Sequence, residues 1–256
     1  MRILAVVADA SRRHLEQALL PSARVLPDRS EAAALHALRT RGCDALVIDP
    51  TLFSADVYER LLAAVAASPV PVIVYAPLSG PCASRVLQIA ELGPHEIILR
   101  GIDDDAELIK RKLASLLIPS VPSVLLSRAA THFRRFPEAL QTASVELFGA
   151  GPLPRWVDEL AARAQLGRRT VDRWMWRSGL SGASMLLDAA RLARAWEPLA
   201  EHRKRPADVA LALGYSRLRL LTSHTRRLTG VVPANLGRTI SREEFTTRLA
   251  RALIVQ

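Results

Sequence analysis

Two segments of the chain carry guanidinium groups at the spacing of a single helical face. In the first, Arg169, Asp172, Arg173 and Trp176 recur at intervals of three and four residues. In the second, Arg219, Ser223, Arg226 and Arg227 do so, with Arg217 and Thr222 at the margins. On a helix such side chains project as one stripe. The planar fork of arginine suits bidentate contact with phosphate oxygens and guanine edges, so the chemistry on offer is recognition of a polyanion, and no catalysis is expected. The opposite faces are apolar, with Val171, Trp174, Met175 and Ser178 expected inward on the first helix and Leu218, Leu221, Thr225 and Leu228 on the second. One such helix reads equally well as an amphipathic helix with a solvated basic face. Two in tandem favour a binding surface.

The elements that must hold these stripes share a design. Ahead of the first lies a short helix lined by Trp156, Leu160, Ala161 and Ala164, with Gly167 at the cap of the arginine-bearing helix. Ahead of the second, Pro206 opens a helix, Asp208 complements its dipole, Val209, Ala210 and Leu213 give it an apolar face, and Gly214 ends it. Ser216 is placed to cap the helix 217–228. A helix over 183–202 separates the two units. Its roughly 20 residues at ~1.5 Å each span ~30 Å, close to the ~34 Å between successive major-groove faces of one DNA turn. Pro198 is a caution, because proline kinks or ends a helix interior.

Charge points to the same half. Residues 1–118 hold 13 of the 35 basic and 14 of the 25 acidic residues, which leaves 22 basic, nearly all arginine, against 11 acidic in residues 119–256. The net charge of +10 therefore resides in the C-terminal half, and nucleic acid is the leading partner class. A chain of 256 residues, half of them hydrophobic, is long and apolar enough for two globular units. The longest apolar stretch, 61–78, is interrupted by Pro69, Pro71 and Pro77, so no membrane span is expected. The N-terminal run 1–9 is too short for a signal core and closes on Asp9, which predicts a cytoplasmic location. Cys43 and Cys82 are far apart and are expected as buried free thiols, with no metal and no cofactor.

Residues 1–115 alternate apolar runs with helical patterns, as a parallel α/β sheet does. Strands are expected at 3–7, 24–26, 45–48, 70–75 and 96–99. The helices expected between them are 12–20 capped by Ser11, 32–41 opened by Ser30 and ended by a left-handed Gly42, 57–67, 84–92 ended by Gly93, and about 105–117 behind the acids 103–105. The order and spacing resemble a response-regulator receiver domain. By that resemblance Asp49 stands where the family carries its phosphoacceptor. Of the family's acidic cluster only Asp9 is present, Ala76 replaces a Ser or Thr, and Arg100-Gly101 replaces Lys-Pro. Because phosphotransfer between anions needs a divalent ion held by further acids, the reading is a degenerate, receiver-like domain with Asp49 as a vestigial phosphoacceptor. Such a domain can also serve as a homodimerisation platform.

The C-terminal half resembles the AraC/XylS family of transcription regulators over about residues 154–238. The resemblance is carried by Val209-Ala210-Leu211-Ala212-Leu213-Gly214-Tyr215-Ser216, by Gly230-Val231-Val232-Pro233, and by Arg191-Leu192-Ala193-Arg194-Ala195. Thr225 and Thr229 replace larger core residues, and Gln165 stands where a turn glycine is common. The family implies a double helix-turn-helix on double-stranded DNA, with RNA polymerase as a further partner. It implies base-edge contacts from Arg169, Asp172, Arg173, Leu218, Arg219 and Ser223. Arg168, Arg177, Arg217, Arg226 and Arg227 are placed for phosphates. Asp172 can accept from a cytosine amine or pair with Arg168 or Arg169. The expected organisation is thus a receiver-like α/β domain over 1–117, a connector with short helices over 118–153, an all-α double helix-turn-helix over 154–240 and a helical tail over 241–256. Two other readings stand beside this regulator: a response regulator switched by phosphorylation of Asp49, and an interaction adaptor that has lost DNA affinity.

Overall fold

The apolar runs of the N-terminal part pair side by side into one sheet, as Val- and Ile-rich segments buried on both faces do. The computed structural model describes residues 1–21, 23–26, 30–93, 95–114 and 119–255. Its strands are β1 (Arg2–Val6), β2 (Arg24–Val25), β3 (Ala45–Ile48), β4 (Val72–Pro77) and β5 (Glu96–Arg100), all parallel in the order β2-β1-β3-β4-β5. That order is the flavodoxin-like form of the doubly wound fold. Alternation sorts the side chains of the sheet. Ile3, Ala5, Val47, Ile73, Tyr75 and Ile98 face α1 (Asp9–Leu19) and α5 (Ala106–Ala114). Leu4, Val6, Leu46, Ile48, Val72, Val74 and Leu99 face α2 (Glu31–Thr40), α3 (Ala55–Ala67) and α4 (Gly80–Leu92).

The five strand-helix pairs match the sequence expectation, and the differences lie in their ends. Ser11 does not cap α1. The helix begins at Asp9, so Ser11 falls inside it, buried, and accepts a hydrogen bond from Arg100 Nη1 at 2.9 Å. Ser30 does cap α2, accepting from Ala33 N. The left-handed residue that ends α2 is Arg41 (φ 54°), not Gly42, because the helix stops one residue earlier than its pattern suggests. Asp105 caps α5 through Glu107 N and Leu108 N, and the last residues expected of that helix, 115–117, lie outside the described residues. Asp103 does not complement the helix dipole. It is fully buried, lies 3.4 Å from Lys112 Nζ and accepts from Ala150 N at 2.7 Å. Cys43 and Cys82 are buried and free, and burial together with nearby Asp49 pushes the Cys82 thiol up to about 12.

The span expected as a connector holds two helices, α6 (Val121–Phe133) and α7 (Glu138–Glu146), and both pack on α4. Phe133, Phe136 and Phe148 cluster there, so the apolar core runs unbroken from the α4 side of the sheet into the C-terminal helices. The following turn is pinned from both sides. Asp103 holds Ala150 N, while Arg194 donates to Ala150 O at 2.6 Å and to Gly151 O at 2.7 Å. Gly149 is required by this closeness, since a Cβ there would lie 2.7 Å from Leu99 Cδ1 and 2.9 Å from Asp103 Oδ2.

Beyond the turn the chain is helical: α8 (Val157–Arg163), α9 (Arg168–Arg177), α10 (Ala183–Trp196), α11 (Pro206–Ala212), α12 (Leu218–Thr229) and α13 (Arg242–Leu253). α10 is buried along nearly all its length and is packed by α6, α8, α9 and α13. That environment explains an apolar pattern running round the whole helix. α13 is capped by Ser241 and packs Phe245 on Trp196, with ring centroids 4.8 Å apart.

Candidate nucleic-acid interface

The two arginine-bearing helices are reached through turns of the same construction. After α8, Gln165 N bonds Ala162 O and Leu166 N bonds Ala161 O. After α11, Gly214 N bonds Leu211 O and Tyr215 N bonds Ala210 O. This paired pattern is the Schellman motif, which satisfies the last carbonyls of a helix and reverses the chain through one left-handed residue. That residue is Gln165 (φ 53°) in the first unit and Gly214 (φ 77°) in the second. Helix, left-handed turn and helix therefore repeat at the level of individual hydrogen bonds.

Exposure places most of the expected contact residues on the outside. Arg168, Arg169, Arg173 and Arg177 of α9 are exposed, as are Arg217, Leu218, Arg219, Ser223, Arg226 and Arg227 in and next to α12. Beneath them Val171, Met175, Leu221, Thr225 and Leu228 are buried, and Trp174 is half-buried. Thr225 and Thr229 turn their hydroxyls onto Leu221 O and Thr225 O, so neither of these two side chains buries its hydroxyl without a partner. Trp176 stands 68% exposed beside Arg173.

Several expectations change. Trp156 does not line α8: it is the residue before the helix, 67% exposed, and Val157 takes the inward position. Ser216 does not cap α12, because the helix begins at Leu218 with Arg217 in the capping position. Leu218 is 42% exposed and not inward, since the first turn of α12 projects past the edge of the core. Asp172 is half-buried and accepts from Ala183 N at 3.1 Å, which holds the start of α10 and leaves Arg168 to pair with Asp158 across 3.4 Å of exposed surface. The joining helix runs over 183–201, nearly the span expected, but it is not α-helical throughout. α10 stops at Trp196, two residues before Pro198, and a π turn (Glu197–Glu201) follows. Its 14 residues give about 21 Å of regular helix at ~1.5 Å each.

The sequence reading did not single out the group that joins the units. Asp188, in the middle of α10 and 4% exposed, has Arg227 Nη2 at 2.7 Å, His224 Nδ1 at 3.0 Å and Arg191 Nη1 at 3.6 Å. Arg191 donates to Pro154 O at 2.5 Å and Arg155 O at 2.7 Å, and its guanidinium lies 5.5 Å from the Tyr215 ring centroid. Burial, and then the charge of Asp188, push the Tyr215 phenol up from its ordinary value. The available signal was an acid set inside an otherwise apolar helix, which needs a cationic partner.

At the carboxyl edge of the sheet, Asp49 is 3% exposed, and its Oδ1 accepts from Thr51 N at 2.9 Å and Thr51 Oγ1 at 2.6 Å. Among the described residues no group of three or more His, Cys, Asp and Glu side chains is placed to hold a metal ion. Among them, too, no helix is long and apolar enough to cross a membrane.

A family model described as a helix-turn-helix domain matches residues 160–239. No curated protein and no solved structure matches the chain. The matched span runs from within α8 to beyond α12, and so takes in both helix-turn-helix units and the α10 rod between them. Residues 160–239 therefore form an AraC-type helix-turn-helix domain, a module of DNA binding and transcription regulation.

Proposed function

We propose that this protein is a sequence-specific regulator of transcription that lays α9 and α12 into two successive major grooves of double-stranded DNA. The observation that carries the reading is the repeated helix, Schellman turn and helix, each copy exposing arginines and burying its apolar face, on either side of one packed rod. Arg169, Arg173, Arg219 and Ser223 are the base-edge donors in this reading, and Leu218 offers an apolar contact of the kind a thymine methyl accepts. Arg168, Arg177, Arg217 and Arg226 serve the phosphates, which fix register and supply the salt-dependent part of affinity. Asp172 is the weakest of the expected base contacts, because its carboxylate already serves the α10 N-terminus.

The α/β part acts, in this reading, as a degenerate receiver. Asp49 is buried and engaged by Thr51, which disfavours a phosphoacceptor role. A homodimer through this part would use the α1–α5 side or the β2 edge, since α6 and α7 already cover α4. The test is binding of Arg219→Ala to an operator selected from genomic fragments. A loss of ~1–3 kcal/mol with relaxed preference at one base pair is expected. An unchanged base preference removes Arg219 from direct readout, and an absence of any sequence-selected fragment for the wild type overturns the function.

A further inference from the structure

We propose that Asp188 and Arg191 are positioning residues that lock α12 at a fixed angle to the first helix-turn-helix unit, and that Arg227 belongs to this lock and not to the phosphate contacts. The proposal rests on the two-groove reading above and specifies what makes it selective for half-site spacing.

One buried carboxylate gathers two guanidinium groups and an imidazole ring from two elements. From α12 come Arg227 at 2.7 Å and His224 at 3.0 Å, and from its own helix comes Arg191 at 3.6 Å. Arg191 then carries the connection onward. Its Nη2 holds the carbonyls of Pro154 and Arg155, the two residues that lead into the first unit. Its face lies over Tyr215, the residue that follows the left-handed Gly214 of the second unit, and Tyr215 meets His224 edge-on with centroids 5.5 Å apart. Start of the first unit, rod, turn of the second unit and second recognition helix are thereby tied through two adjacent side chains. A carboxylate as buried as Asp188 strongly disfavours any arrangement that strips its cations away, whereas Arg227, half exposed, has water as an alternative. The carboxylate thus selects the orientation of α12. An operator whose half-sites are shifted by a base pair would need α12 to turn about the rod, against this constraint.

The experiment uses the full-length protein with Asp188→Asn, which keeps size and an acceptor but removes the charge, and Arg227→Gln. Each is titrated against duplexes carrying the selected operator with its natural half-site spacing and with spacings changed by one and two base pairs, over a salt series. The wild type is expected to show a sharp optimum. Both variants should lose roughly tenfold at the natural spacing, lose little at the shifted ones, and keep the wild-type salt slope. A loss by Arg227→Gln that is uniform across spacings, with the salt slope reduced by about one, would make Arg227 a phosphate ligand and overturn the proposal. So would an unaltered spacing profile in Asp188→Asn. Amide hydrogen exchange of the free protein supplies a readout that does not depend on DNA. Exchange in α12 should quicken roughly tenfold in Asp188→Asn while α9 stays unchanged, and equal protection of α12 in both proteins sinks the lock itself. If the wild type selects no operator but α12 loosens as expected, it is the two-groove function that has failed and the lock that stands.

Discussion

Replacing Gln165 by glycine should stabilise the protein, and replacing Gly214 by alanine should destabilise it, because both residues hold the left-handed conformation in equivalent turns. An L-residue with a Cβ meets a cost of ~1–2 kcal/mol in that conformation. Glycine escapes this cost but gives up ~0.5–1 kcal/mol through the greater freedom of its unfolded chain. The difference leaves Gln165→Gly about 0.5–1 kcal/mol more stable, and Gly214→Ala less stable by a similar amount. Space does not confuse the comparison. The side chain of Gln165 is exposed, and a Cβ at Gly214 would meet nothing closer than Arg155 Cγ at 4.0 Å. Urea unfolding followed by tryptophan fluorescence is the natural assay, since Trp156, Trp174, Trp176 and Trp196 all lie in the C-terminal half. With a slope of ~2–3 kcal/mol/M, the midpoint should rise by ~0.2–0.5 M for the first variant and fall by as much for the second. A lowered midpoint for Gln165→Gly would show that the glutamine side chain contributes something its dihedral cost conceals, and would refute the equivalence of the two turns.

Two further expectations follow from the α/β side. Gly149→Ala forces a methyl against the buried Leu99 and Asp103, and an overpacking loss of ~1–3 kcal/mol should be read as a lower urea midpoint; an unchanged midpoint would mean the turn at 149–151 is not held as described. His95 has a buried Nε2 without a hydrogen-bond partner, and burial holds its imidazole down to about 4. The unfolded chain takes up that proton near the ordinary value of ~6.5, so stability is complete above that pH and falls as the pH drops towards about 4, by up to ~3 kcal/mol. His95→Gln should flatten that part of the pH profile, and an equal slope in both proteins would assign it to other groups.

Local patterns were enough for much of this molecule. The Val- and Ile-rich runs at 45–48 and 70–75 announced buried parallel strands because no charged residue interrupts them, although the second strand lies two residues further on, at 72–77. The arginine stripes of α9 and α12 were legible because their apolar residues recur at helical spacing, and the resemblance to a double helix-turn-helix agrees with the matched span 160–239. Helix ends were less legible. Ser11, Gly42 and Ser216 all have the right chemistry for a terminus, yet packing moved each terminus by one to three residues.

The sequence by itself determined which faces would be apolar and which cationic, since periodicity and side-chain type are properties of a short stretch of chain. Only the tertiary structure decided what the isolated polar groups do. Asp188 finds Arg227 39 residues away, Asp103 finds Ala150 47 residues away, and Asp172 is drawn from a solvent role to the start of α10. Burying a charge is costly unless a partner arrives, and which partner arrives depends on how separate helices pack, a relation that no local stretch of residues contains.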